Sequence, residues 1–149
     1  MSEPPVTLRT ADPASHFSRM LRGDAARAPV LDLLQSRIER VDAQAGVLCA
    51  RYEARDDFLN PAGTVQGGLL GAMLDDLSAS LVDATLKPGE VVATLSLNLS
   101  FLRPARAGAL QGEARMLRRG RDVCHVSATL TQEGKEIASA VAVCKVVAA

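Results

Sequence analysis

Several common catalytic and ligand-binding motifs are ruled out by what this chain lacks. It has two histidines, His16 and His125, no tryptophan and one tyrosine in 149 residues. With so few histidines and no CxxC pair, a zinc site lacks its usual ligands, and no metal is expected. No Ser-His-Asp or Cys-His arrangement can be argued, because His16 falls in an N-terminal stretch and His125 in a strand-like run. The cysteines, Cys49, Cys124 and Cys144, are odd in number and widely spaced. They read as buried thiols in a reducing compartment. Charge of one sign is also missing: 17 basic residues balance 17 acidic ones. A general nucleic-acid binder carries a basic excess, so that class is set aside, although a local basic patch is still allowed. The first 46 residues hold no basic recognition helix either. No basic segment followed by an apolar one opens the chain, and no apolar run is long enough to cross a bilayer. The expectation is a soluble cytoplasmic protein without a membrane or nucleic-acid partner.

Apolar residues make up 48% of the sequence, enough to build a core, and the length suits one domain. The organising stretch runs from Asn60 to Asp76. It opens as a turn, where Asn60, Pro61 and Gly63 punctuate the chain. It ends inside an apolar run, Leu69 to Val82, that carries two adjacent acids, Asp75 and Asp76. Acids are seldom buried without partners, so this pair needs explaining. The glycines from Gly63 to Gly71 are not a nucleotide phosphate loop, since the Lys-Ser/Thr ending is absent.

In chain order, residues 1–28 read as an N-terminal extension, partly flexible, extended over residues 2–15 with a helical turn over residues 16–21. The domain proper spans residues 29–149. Pro29 suits a first helical position, and Val30, Leu33, Leu34, Ile38 and Val41 are spaced for one helical face, predicting a helix over residues 29–44. Residues 47–56 alternate as a strand. One long helix is predicted over residues 68–86, ended by Lys87-Pro88-Gly89. Strands follow over residues 91–102, 109–118, 121–131 and 135–147, joined by short turns. Uninterrupted hairpins imply an antiparallel sheet and leave no room for crossover helices. The fold class is therefore α+β, a curved antiparallel sheet around one long central helix, with an extra N-terminal helix. The open sheet edge invites a second copy of the chain.

The pieces Asn60, Gly63 to Gly68, the helix reaching Asp75, Val92 to Asn98, Phe101-Leu102-Arg103-Pro104, Gly108 and Gly120-Arg121 follow one another at telling spacings. In this order, over roughly residues 47–147, they resemble the hotdog-fold acyl-CoA thioesterases of the phenylacetate-type (PaaI-like) and 4-hydroxybenzoyl-CoA thioesterase branch. The resemblance implies a homodimer or homotetramer with sites between subunits, and no cofactor beyond the coenzyme A of the substrate. It implies Asp75 as nucleophile or general base, Asn60 as the loop asparagine and Gly67 as the amide that polarises the thioester carbonyl. Thr94 takes the place of the hydroxyl that holds the carboxylate or water. Relatives commonly carry His-Gly-Gly where this chain has Gln66-Gly67-Gly68. The Gly67 amide survives that change, and Gln66 can hydrogen-bond but cannot carry a proton.

The residues themselves allow this chemistry. A carboxylate on an apolar helix is a better base than a solvated one. The Gly67 and Gly68 amides open the helix, where unpaired N–H groups and the helix dipole favour an oxyanion. From Gln66 to Asp75 is about 13 Å along a helix, too far for one carbonyl, so two antiparallel copies suit the site better than one. Asp76 points about 100° away and reads as a solvated or ion-paired acid. Thr94, Ser96, Asn98 and Ser100 form a polar row on one strand face. Arg103, Arg106, Arg118, Arg119 and Arg121 gather around two turns and suit coenzyme A phosphates as well as they suit a solvated turn. Two other readings stand beside hydrolysis: a non-catalytic acyl-CoA-binding hotdog protein, and an acyl-thioester hydratase or dehydratase.

Overall fold

The computed structural model describes residues 7–149. The first six residues of the expected N-terminal extension lie outside the described residues. The elements are β1 (Thr7–Arg9), α1 (His16–Leu21), α2 (Pro29–Leu33), β2 (Arg37–Asp42), β3 (Val47–Ala54), α3 (Gly67–Asp83), β4 (Glu90–Phe101), β5 (Gly108–Arg119), β6 (Val123–Gln132) and β7 (Lys135–Ala148). They build one sheet in the order β1-β2-β3-β5-β6-β7-β4. Every pairing is antiparallel except β1 with β2, which is parallel.

The chain leaves the sheet after β3, runs through α3, and re-enters at the far edge as β4. That path lays α3 across the inner face of the sheet, against β3, β4, β5, β6 and β7. Leu70, Met73, Leu74, Leu77, Leu81 and Val82 of α3 are buried there. They meet Leu48, Ala50 and Tyr52 of β3, Leu110 of β5, Val126 and Leu130 of β6 and the alternating alanines of β7. Small residues let helix and sheet approach. A Cβ on Gly112 of β5 would come within 2.6 Å of Leu77 Cδ1, and one on Gly71 within 2.9 Å of Leu99 Cδ1. The result is the expected α+β hotdog arrangement, a sheet wrapped around a central helix.

The predicted helix over residues 29–44 is corrected. Pro29 does start a helix, but α2 stops at Leu33, and the left-handed Gln35 (φ 50°) turns the chain into β2. The helix-like spacing of Ile38 and Val41 has a physical cause. The pairing of β2 with β3 slips at Glu39, so Ile38 faces Ala50 and Val41 faces Leu48. A bulge residue puts positions three apart on one face, as a helical turn would. α3 also ends a turn earlier than predicted, at Asp83, and Lys87 to Gly89 form the turn into β4.

A second bulge sits in β4, where Thr94 pairs with Cys144 and Ser96 with Val143, leaving Leu95 extra. The predicted row Thr94-Ser96-Asn98-Ser100 is thereby broken. Thr94 shares the inner face of its partner Cys144, and Leu97 and Leu99 share that of the buried Ala142 and Ala140. Ser96, Asn98 and Ser100 fall on the opposite face. β4 has β7 on one side only and so ends the sheet with an open edge.

Candidate active site

α3 presents two neighbouring carboxylates in different surroundings. Asp75 is half-buried and accepts a 2.8 Å hydrogen bond at Oδ1 from the Thr94 hydroxyl of β4. The Leu95 bulge makes this possible. It turns Thr94 toward the helix while the leucines beyond it still cover α3. Because β4 is an edge strand, Thr94 and the outer side of Asp75 stay open in a single chain.

Asp76 is neither solvated nor ion-paired, which corrects the expectation for it. Its Oδ2 accepts from the Tyr52 hydroxyl at 2.7 Å and from Ser36 at 3.4 Å, and its Oδ1 from Ser80 at 3.3 Å. Burial pushes its carboxyl above the usual carboxylate range, and the three hydroxyls pull against that shift. Burial, then the charge of Asp76, drives the Tyr52 hydroxyl well above its ordinary value, so the phenol keeps its proton and donates it. Sequence reasoning missed Tyr52, Ser36 and Ser80. The available signals were the single tyrosine on the buried face of a strand, and a serine one helical turn after the acid.

At the N-terminal end of α3, Gly67 is the first helical residue and Gln66 the N-cap. The Gly67 and Gly68 amides precede the first i to i−4 bond and have no acceptor within the helix. Gly67 is pressed against Phe101, whose Cζ would lie 3.2 Å from an added Cβ, whereas Gly68 faces open space. The exposed Gln66 makes no side-chain cap, and its backbone N–H donates to Phe58 O at 2.9 Å. A cleft of about 330 Å³ opens beside Gly67, walled by Phe101, Leu102, Arg103 and Pro104. Asn60 shapes the loop leading there. Its Oδ1 accepts from the amides of Ala62 and Thr64 at 3.0 and 3.1 Å, and its Nδ2 donates to the Thr64 hydroxyl at 3.0 Å. Asn60 thus acts within its own turn and does not reach Asp75.

The five arginines do not form one cluster. Arg103 and Arg106 lie in the β4–β5 link by the N-terminus of α3, where Arg103 donates to Glu136 O and Arg106 pairs with Glu133 at 2.8 Å. Arg118, Arg119 and Arg121 lie at the β5–β6 hairpin, and Arg119 donates to the Thr85 hydroxyl just past the C-terminus of α3. The two groups therefore sit at opposite ends of a helix about 25 Å long. Among the described residues no cluster of three or more His, Cys, Asp or Glu side chains could hold a metal ion, and no helix is long and apolar enough to cross a membrane.

The family profile described as the acyl-CoA thioesterase N-terminal domain matches residues 55–145. The chain belongs to this family. The match contains α3 entirely. Acyl-coenzyme A thioesterase 13 of Mus musculus is 25% identical over 115 residues, covering 75% of this chain and 81% of that protein. The Homo sapiens protein of the same name is 27% identical over 105 residues, covering 68% and 74%. Among solved structures, a phenylacetic acid degradation-related protein from Ralstonia eutropha JMP134 is 56% identical with a TM-score of 0.87, covering 88% of this chain and 99% of that one. The E. coli PaaI protein of the phenylacetic acid degradation operon shares the fold at 20% identity, with a TM-score of 0.74 over 81% and 86% of the two chains. The protein is thus a hotdog-fold enzyme of the acyl-CoA thioesterase type.

Proposed function

We propose that the chain hydrolyses an aryl, phenylacetyl or medium-chain acyl-CoA, with Asp75 as the carboxylate that attacks the thioester carbonyl or activates water to do so. The observation that carries this reading is the Thr94–Asp75 hydrogen bond. It fixes one carboxylate oxygen, and the other has no hydrogen-bond partner among the described residues. The Gly67 and Gly68 amides of a partner subunit stabilise the oxyanion, since those of the same chain stand about 12 Å from Asp75 along α3. The carbonyl carbon gains an oxygen, the C–S bond breaks, and coenzyme A leaves as the thiol once its sulfur is protonated. In a homodimer or homotetramer with antiparallel helices, Arg118, Arg119 and Arg121 of one chain approach the end of the other that carries Arg103 and Arg106. Together these arginines suit the phosphates of coenzyme A. The description of the Ralstonia relative favours a phenylacetyl-like acyl group.

A second reading places the base at Asp76, favoured by its burial and raised carboxyl. Both of its oxygens are already engaged by hydroxyls, which leaves it little freedom to take part in the reaction. Thiol release from benzoyl-CoA, phenylacetyl-CoA and a ladder of aliphatic acyl-CoAs separates the two. Asp75→Asn is expected to lower kcat by about 100-fold or more, a typical general-base contribution. If Asp75→Asn keeps its activity and Asp76→Asn loses it, the roles are reversed. If neither the parent nor any variant releases thiol yet the parent binds acyl-CoA, the chain is a binding protein.

A further inference from the structure

A cavity of about 300 Å³ lies between α1, α2, the C-terminal half of α3 and the first residues of β4. It is separate from the cleft at Gly67. Phe17, Met20, Leu31 and Leu86 wall it with hydrocarbon, and the half-exposed Val30 and Val91 stand at its rim. It begins where the proposed reaction centre ends. Asp76 and Ala79 of α3 follow directly on Asp75, and Val91 precedes Thr94 by three residues. The volume falls at the lower end of ordinary ligand pockets, large enough for an acyl group and too small for coenzyme A itself.

The polar content of the cavity is uneven. Asp76 is satisfied by its three hydroxyls, and Glu90 is turned aside to accept the Lys87 amide at 2.8 Å. Asp83 lines the same cavity two turns beyond Asp76 and has no hydrogen-bond or ion-pair partner among the described residues. His16 and Lys87 complete the ionisable groups around it. A carboxyl facing an apolar cavity without a partner invites a hydrogen bond from whatever enters. Burial and the charge of Asp76 push it up to about 7, so near neutral pH it both donates and accepts. From Asp75 to Asp83 is about 12 Å along the helix, the reach of a medium-length acyl chain.

We infer that this cavity receives the acyl tail and that Asp83 selects tails ending in a hydrogen-bond donor, such as a terminal hydroxyl, over plain hydrocarbon. Ala79 sets the clearance between the reaction centre and the cavity. The inference rests on the thioesterase reading for the direction in which the tail leaves Asp75.

The test is calorimetric binding of non-hydrolysable thioether analogues carrying an octyl or an 8-hydroxyoctyl tail, each referred to coenzyme A alone, so that its outcome does not depend on turnover. The parent is expected to bind the hydroxylated analogue about fivefold to tenfold more tightly than the plain one, the worth of one hydrogen bond. Asp83→Leu reverses that order. Asp83→Ala, which removes the carboxyl without adding bulk and guards against a misfolded leucine variant, brings the two analogues within about twofold. Ala79→Phe removes the advantage of either tail over coenzyme A. Equal binding of both analogues by the parent, or a preference unchanged in both Asp83 variants, overturns the assignment of Asp83. Tails that add nothing to coenzyme A binding in the parent overturn the cavity as their site. Loss of the Asp75 reading is seen separately, as thiol release that survives Asp75→Asn while the tail preference stands.

Discussion

At the residue scale, the site turns on how α3 treats three acids. Asp75 meets one hydroxyl and open space, Asp76 meets three hydroxyls, and Asp83 meets none. Tyr52→Phe takes from Asp76 its shortest hydrogen bond and leaves a buried carboxylate underserved. Urea denaturation should show a loss of about 1–3 kcal/mol. Asp83 gives a pH effect whose sign follows from its shift. Its folded value, about 7, lies above the ordinary 3.8, so the native chain holds a proton that the unfolded chain releases. Between about pH 4 and pH 7 the folded state binds more protons, and stability therefore falls as pH rises through that window. The drop can reach about 4 kcal/mol. Asp83→Asn should flatten this slope, read as urea midpoints at pH 5 and pH 8, with the variant gaining on the parent at the higher pH. Asp76 shifts in the same direction and leaves a residual slope. Asp75, Gly67, Asn60 and Thr94 were named as candidates through the family motif they match, whose pieces run along one turn, one helix and one strand. Tyr52 and Ser36 were not, because they reach Asp76 only after β2 and β3 have docked.

At the element scale, two departures from the sequence reading trace to bulges. A bulge residue is invisible to a period of two, and in β2 it imitates the period of a helix through Ile38 and Val41. The hairpins from β5 to β7 were legible because their turns are short and their alternation holds over most of their length. The bulge in β4 leads to an unusual expectation. A deletion inside a strand ordinarily turns every later side chain to the wrong face. Removing Leu95 does the reverse: it closes the ladder between Thr94–Cys144 and Ser96–Val143 and keeps Leu97 and Leu99 inward. The Leu95 deletion should fold, with a melting temperature within about 3 °C of the parent, a shift worth about 1 kcal/mol in a chain of this size. Deletion of Asn98, which throws Leu99 outward, should give insoluble or unfolded protein. Thiol release by the Leu95 deletion should persist, since Thr94 keeps its partner Cys144 and with it the inner face that meets Asp75. A melting temperature lowered as far by loss of Leu95 as by loss of Asn98 would show that the bulge carries stability.

At the scale of the whole molecule, one chain holds two halves of a site about half the length of α3 apart. The Gly67 amide and the Asp75 carboxylate cannot meet on one carbonyl within a single copy, since about 12 Å of helix separates them. Gly67 offers a clean way to test whether two copies combine. It is the first residue of α3, a position where proline is well tolerated, and Gln66 before it already has an extended backbone (φ −57°, ψ 131°). Gly67→Pro therefore deletes the N–H with little cost to the helix, apart from contact with the Phe101 ring. Alone it should lose about 100-fold in kcat, the usual worth of one oxyanion donor. Asp75→Asn alone is expected to be equally poor. Mixed by co-expression, the two variants place an intact Asp75 opposite an intact Gly67 at one site of each mixed dimer. Random pairing makes about half the dimers mixed, so activity should return to about a quarter of the parent's under two-fold symmetry. A site built within one chain predicts no recovery at all, because each variant chain lacks one of its own two groups. The recovered fraction thus reads the architecture of the site directly, independently of which acyl group is cleaved.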